Sequence, residues 1–159
     1  GIVAACSGAR RPVIPVAGIP AESSYAVIHP YSGSSHKNWP LERFRELAEA
    51  LSGEIRVEWC AEPGSGLEGA REFENLRDLA GWLAGARLYI GNDSGITHLA
   101  AAAGAPVLAL FGPTDPAVWG PCSASATILR GAGNRMEAIA VQQVLELRGE
   151  FWPALPGGP

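Results

Sequence analysis

Three short stretches combine residue types able to hold a phosphorylated ligand. "NDSGITHL" (Asn92–Leu99) sets an acid, a hydroxyl and a glycine ahead of a small-residue helix. Asp93 or Ser94 can cap that helix, and Gly95 lets a ligand approach the backbone closely. The free N–H groups of the first turn and the helix dipole favour an anion, typically phosphate. His98 falls one turn inside. "HPYSGSSHKNWP" (His29–Pro40) offers hydroxyl and backbone donors at Ser32, Gly33, Ser34 and Ser35. With the charge of Lys37 close by, they make a reasonable phosphate cradle. "FGPTDP" (Phe111–Pro116) fixes Thr114 and Asp115 between two prolines beside Gly112. Glu62 stands just past a strand-like run, where a carboxylate commonly accepts the paired hydroxyls of a ribose. Each of the three stretches also has a plainer reading: a capped helix, a solvated loop, a rigid turn.

The elements around these stretches put them together. Tyr25–His29, Ile55–Cys60, Leu88–Gly91, Pro106–Phe111 and Ala126–Leu129 read as strands, most of them apolar throughout. Between them, Leu41, Phe44, Leu47, Ala48 and Leu51 recur at helical spacing, as do Leu76, Leu79, Ala80 and Leu83 after a capping Asn75. Ile96, Leu99 and Ala103 face a third helix inward, and Met136, Ala140, Val144 and Leu147 mark a closing one. Apolar strands alternating with helices predict an α/β, Rossmann-like parallel sheet of five or six strands, covered on both faces. Ligands of such sheets sit at the carboxyl ends of the strands. The loops after His29, Ile90 and Phe111 all lie at such ends, so they are expected to line one site.

The chain has 159 residues, enough for one domain with a full core. A net charge of −4 gives no electrostatic reason to expect nucleic acid or an anionic membrane as partner. Cys6, Cys60 and Cys122 are odd in number and widely spaced, which disfavours zinc or a disulfide framework and fits a reducing cytosol. No apolar run approaches the roughly 18–20 residues that span a bilayer. Residues 1–23, rich in Gly, Pro and Ala, read as a linker or the remnant of a preceding domain. Residues 24–148 form the expected domain, and residues 149–159 an irregular tail that packs its aromatics over the surface. The first loop lacks G-x-G-x-x-G, and no G-x-x-x-x-G-K-[ST] occurs, so dinucleotide and P-loop readings are weak.

"HPYSGSSHKNWPLERFRELA" and "LAGARLYIGNDSGITHLAAAAGAPVLALFGPTDP", in that order and separation, resemble glycosyltransferase family 9, the bacterial heptosyltransferases of the lipopolysaccharide inner core. The resemblance covers roughly Tyr25 to Gln143 and implies the C-terminal, donor-binding half of a GT-B fold. By it, Lys37 contacts the donor phosphates, while Asp93, Ser94 and Gly95 hold the diphosphate and sugar with His98 nearby. Lys37 and Asp93 are the residues it implicates in catalysis. Ser32 and Ser34 belong to the donor loop, Glu62 in "WCAEP" matches the ribose-binding carboxylate, and Thr114 borders the nucleotide or sugar. The reaction implied is an inverting transfer without a required metal or other cofactor, from a nucleotide sugar for which ADP-heptose is the default. The general base and most of the site for a lipid-linked saccharide acceptor come from an N-terminal domain that no part of this chain matches. The resemblance places the enzyme in the cytoplasm, peripheral at the inner face of the inner membrane. A non-catalytic nucleotide- or partner-binding module on the same scaffold is the competing expectation, and a dinucleotide-dependent oxidoreductase a third.

Overall fold

The computed structural model describes residues 1–4, 25–149 and 151. The apolar runs form strands β2 (Tyr25–His29), β3 (Arg56–Trp59), β4 (Leu88–Asn92), β5 (Val107–Phe111) and β6 (Ala126–Arg130), all mutually parallel. A short strand β1 (Ile2–Ala4) pairs antiparallel with β6, giving the order β1-β6-β5-β4-β2-β3. The expectation of a linker over residues 1–23 is thus corrected at Ile2–Ala4, where backbone pairing to the sheet edge overrides a composition that suggested loop; residues 5–24 lie outside the described residues. Of the tail, Gly149 and Phe151 are described, and Phe151 packs against the core.

Helices α1 (Leu41–Ser52), α2 (Leu76–Ala84), α3 (Gly95–Ala102), the single turn α4 (Pro116–Trp119) and α5 (Val141–Arg148) complete the layers. Side chains alternate across each strand, so the buried apolar residues divide by parity. Ala26, Ile28, Leu88, Ile90, Leu108 and Leu110 meet Phe44, Leu47 and Leu51 of α1 and Val144 and Leu147 of α5. Val27, Tyr89, Val107, Ala109 and Phe111 meet Leu79 and Leu83 of α2 and Ala100 and Ala101 of α3. Small residues let α2 and α3 approach closely: Ala80, Ala84 and Ala103 form a cluster of their own.

From β2 the chain first moves outward to β3, then returns across β2 to lay β4 on its other side. Right-handed crossovers put α1 on one face and α3 on the opposite one. The order therefore reverses between β2 and β4, and a crevice opens above their carboxyl ends, where ligands of open α/β sheets sit.

The spacing from Met136 to Leu147 predicts one helix, but Met136–Ala138 forms a 3₁₀ turn and α5 starts at Val141. Side-chain bonds hold the intervening residues extended. The Ile139 carbonyl accepts from Trp39 Nε1 at 3.0 Å and from Arg43, while Gln143 Oε1 takes the Ala140 N–H at 2.8 Å.

Gly91 carries the reversal point. A Cβ there would fall 2.6 Å from the Tyr89 hydroxyl and 2.9 Å from its ring, contacts that a packed core does not absorb. Gly91→Ala is expected to lower stability by about 1–3 kcal/mol in urea melts. Gly33→Ala, whose Cβ meets nothing within 4 Å, should stay within about 0.5 kcal/mol.

Candidate functional site

The polar side of the crevice is assembled by two buried side chains. Asn92, at the end of β4, donates from Nδ2 to the Pro30 carbonyl at 2.8 Å and accepts on Oδ1 from the Trp39 N–H at 3.0 Å. It thereby ties both ends of the first loop to the strand. Inside that loop, Ser32 Oγ lies 2.7 Å from Asn38 Oδ1 and 2.8 Å from the Ser34 carbonyl. Both are acceptors, so its one proton serves one at a time. A 3₁₀ turn, Ser35–Lys37, then delivers Lys37 over the crevice, where Nζ stands 3.2 Å from Asp93 Oδ2. Thr114, from the loop after β5, donates to the same oxygen at 2.8 Å. One carboxylate thus joins all three loops, and the structure brings Lys37, Asp93 and Thr114 together.

Asp93 does not cap α3. Ser94 does, its Oγ accepting from the Thr97 N–H at 3.3 Å. Either residue type suits a cap; the Asp93 carboxylate turns away because Lys37 and Thr114 offer it charge-assisted bonds. Thr97 locks the turn further, donating to the Asn92 carbonyl at 2.5 Å and lying 3.0 Å from the buried Tyr89 hydroxyl. Gly95 is exposed and a Cβ there would meet nothing within 4 Å, so the first turn of α3 is open to the crevice. His98 lies on the same helix with its side chain exposed. The hydroxyl of Ser34 caps no turn.

Glu62 stands apart from this polar group, on the rim of an apolar cavity of about 160 Å³. Its walls include His29, Ala61, Phe73, Leu76, Leu79 and Ile96, the last on the first turn of α3. Ligand pockets for whole drug-sized molecules run to roughly 300–1,000 Å³, so this one suits a single ring system. Cys60 lines it too, but burial, aided by Glu62, pushes its thiol up to about 12, and it stays protonated near neutrality. Burial likewise raises the Tyr89 phenol, against the bond from Thr97. Burial holds the His29 imidazole below its usual range, against the opposing pull of the Glu62 carboxylate.

Residue types alone did not mark His29, Asn92, Asn38 or the apolar wall as site components. The available signals were a histidine and an asparagine closing otherwise apolar strands, and the half-buried Phe73 in a region without periodicity. No helix among the described residues is long and apolar enough to cross a membrane.

A model of glycosyltransferase family 9 (heptosyltransferase) matches residues 5–147. The chain belongs to this family. Lipopolysaccharide heptosyltransferase 1 of Escherichia coli O18:K1:H7 is 32% identical over 142 residues, covering 79% of this chain and 44% of the relative. That of Pseudomonas aeruginosa is 40% identical over 98 residues, covering 53% and 27%. Among solved structures, E. coli heptosyltransferase WaaC with ADP superimposes with a TM-score of 0.72 at 27% identity, over 84% of this chain and 46% of that one. The chain spans less than half the length of these relatives. For this family 9 chain, the α/β class and the likeness to one half of GT-B heptosyltransferases agree with the sequence-based expectation.

Two measurements check the site's construction. Ser94→Ala should cost about 1 kcal/mol of stability by loss of the cap, read from urea midpoints. His29, with a lowered folded pKa, refuses a proton that the unfolded chain accepts below about 6.5. Stability should therefore fall as pH drops through that window, and His29→Gln should show a shallower fall between pH 7.5 and 5.5.

Proposed function

We propose that this chain is the donor-binding part of an inverting heptosyltransferase, taking a nucleoside-diphosphate sugar, with ADP-heptose as the first candidate. The observation that carries the reading is Lys37 held 3.2 Å from Asp93 at the open first turn of α3. A cation and a helix N-terminus converging on one point favour a diphosphate. The apolar cavity beside them supports a place for the base, with Glu62 at its rim accepting from the ribose hydroxyls. Both contacts to Asp93 fall on Oδ2, which leaves Oδ1 to accept from a sugar hydroxyl. Ser34, His98 and Thr114 border the same crevice in this reading, and Ser32 acts through the loop it braces.

In the transfer, an acceptor hydroxyl attacks the anomeric carbon while the bond from that carbon to the diphosphate oxygen breaks. Negative charge gathers on the leaving diphosphate. Lys37 and the α3 backbone N–H groups, already fixed in place, stabilise it there, which is where preorganised donors contribute most. The acceptor proton passes to a general base, which we assign to another domain together with the site for a lipid-linked saccharide. Rate depends on holding donor and acceptor together, so this chain by itself is expected to bind donor and transfer poorly. The proposed setting is the cytoplasmic face of the inner membrane, with peripheral attachment. We propose no metal: among the described residues no group of three or more His, Cys, Asp or Glu could hold one, and Lys37 with the helix terminus supplies the positive potential instead.

Calorimetric titration with ADP, UDP, NAD and ADP-heptose tests the reading. Selective ADP binding, tightened by the heptose, is the expected result, unchanged by chelator. A preference for UDP would keep the site and replace the sugar nucleotide; binding of NAD alone would favour a dinucleotide module. Lys37→Ala should weaken nucleoside diphosphate binding by about 1.5–3 kcal/mol, the scale of a hydrogen bond to a charged group. Unchanged affinity would remove Lys37 from the site.

A further inference from the structure

His29 closes β2, an interior strand of the sheet, where it pairs with Gly91 of β4, and its ring stacks on Tyr89 at 6.4 Å between centroids. It is fully buried, and neither Nδ1 nor Nε2 has a hydrogen-bond partner. Among the described residues these two are the only buried side-chain nitrogen or oxygen atoms in that condition. Leaving such an atom unsatisfied forfeits its hydration without return, so the position calls for a partner.

The geometry shows which. His29 forms part of the cavity wall, and its Nε2 stands 3.7 Å from Glu62 Oε1, too far for a hydrogen bond. A closure of about 0.8 Å would bring the pair to normal hydrogen-bond length. His29 cannot supply that movement, being fixed in the middle of the sheet. Glu62 can: its side chain is 57% exposed and it opens a loop carrying Gly64, Gly66 and Gly69 at positive φ. Without a ligand, water competes for the carboxylate. A planar ring filling the cavity would expel that water and strengthen any bond formed across it.

We propose that His29 is a positioning residue for Glu62. Its Nε2–H donates to the Glu62 carboxylate when a nucleoside occupies the cavity, and so aims the remaining lone pairs of that carboxylate at the ribose hydroxyls. The proposal rests on the nucleotide-binding reading above and assigns it a determinant of ribose recognition. His29 need not touch the ligand. Its neutral form carries one N–H and one lone pair, and the tautomer with hydrogen on Nε2 serves this role.

The test compares ADP with its 2′,3′-dideoxy analogue by titration calorimetry on the intact chain. The unaltered protein should prefer ADP. His29→Leu should weaken ADP binding about tenfold while leaving the dideoxy analogue unchanged, so that the preference collapses. His29→Gln, whose amide N–H reaches towards the Nε2 position, should restore most of it. In a Glu62→Ala background, adding His29→Leu should change nothing for ADP. A purely structural histidine would weaken both nucleotides alike, and that result overturns the proposal. Should His29→Leu fail to fold, the imidazole nitrogen-15 signals of the unaltered chain decide instead. Nε2 should shift on addition of either nucleotide, since both carry the ring, and that shift should vanish in Glu62→Ala; no shift, or one that survives the substitution, would overturn the proposal. If the protein binds both nucleotides equally well, this proposal falls and the nucleotide reading stands. If it binds neither, both fall together.

Discussion

The buried carboxamide of Asn92 is the constraint on which the polar half of the crevice depends. It occupies the end of a strand hydrogen-bonded on both sides, where an unmatched amide would be costly, and it meets that requirement with the two ends of the first loop. The loop in turn inserts Trp39, whose ring packs edge-on to Phe44 of α1 at 4.9 Å and whose indole N–H reaches the Ile139 carbonyl. A polar residue at the tip of β4 and an aromatic residue in the core thus fix one segment from both sides. Lys37, two residues before Trp39, inherits its position from that double attachment. Its own flexible stem would otherwise leave the ammonium group free to explore solvent.

The site has two halves of opposite character joined by one turn of helix. On one side a cation, a carboxylate and a hydroxyl hold each other in place; on the other, apolar side chains leave space that water fills poorly. The first turn of α3 belongs to both, through Ser94 and Gly95 on the polar side and Ile96 on the apolar side. A molecule with a charged middle and a flat ring at one end matches this division, whereas a uniformly polar or uniformly greasy ligand would leave one half unsatisfied. Pairing Asp93 with Lys37 and Thr114 also offsets the charge of an acid that stands beside the open first turn of α3.

Much of this was legible in the sequence, for reasons that follow from periodicity. Strands buried on both faces must be apolar at every position, so β4 and β5 stand out, and the cap at Asn75 marks α2. Lys37, Asp93 and Thr114 could be grouped because loops at carboxyl ends of parallel strands have only one place to go. What failed to show depended on side chains choosing among partners of similar type. Asp93 and Ser94 are both good caps, and only the presence of Lys37 and Thr114 decides between them. The helix expected from Met136 breaks because Trp39 and Arg43, distant in sequence, claim the Ile139 carbonyl. His29 gave no periodic signal, since a buried imidazole occupies a position that the apolar pattern reserves for Val or Ile. β1 was missed because three residues are too few to show alternation.

The antiparallel strand β1 has a bearing on solubility. Any open sheet ends in two rows of unpaired backbone groups that can recruit another copy edge to edge. Here β1 covers the row on β6 and, at three residues, is itself a border strand too short to offer much of a template. At the opposite border the backbone of Arg71 engages Trp59 and Ala61, and Arg56, Glu58 and Arg71 form a charged cluster along β3. Each border is thus blunted by its own device, one covalently remote from the rest of the sheet and one close by. Shortening the chain so that it begins at β2 would leave β6 as an open template, and the first symptom would be self-association rather than loss of the fold.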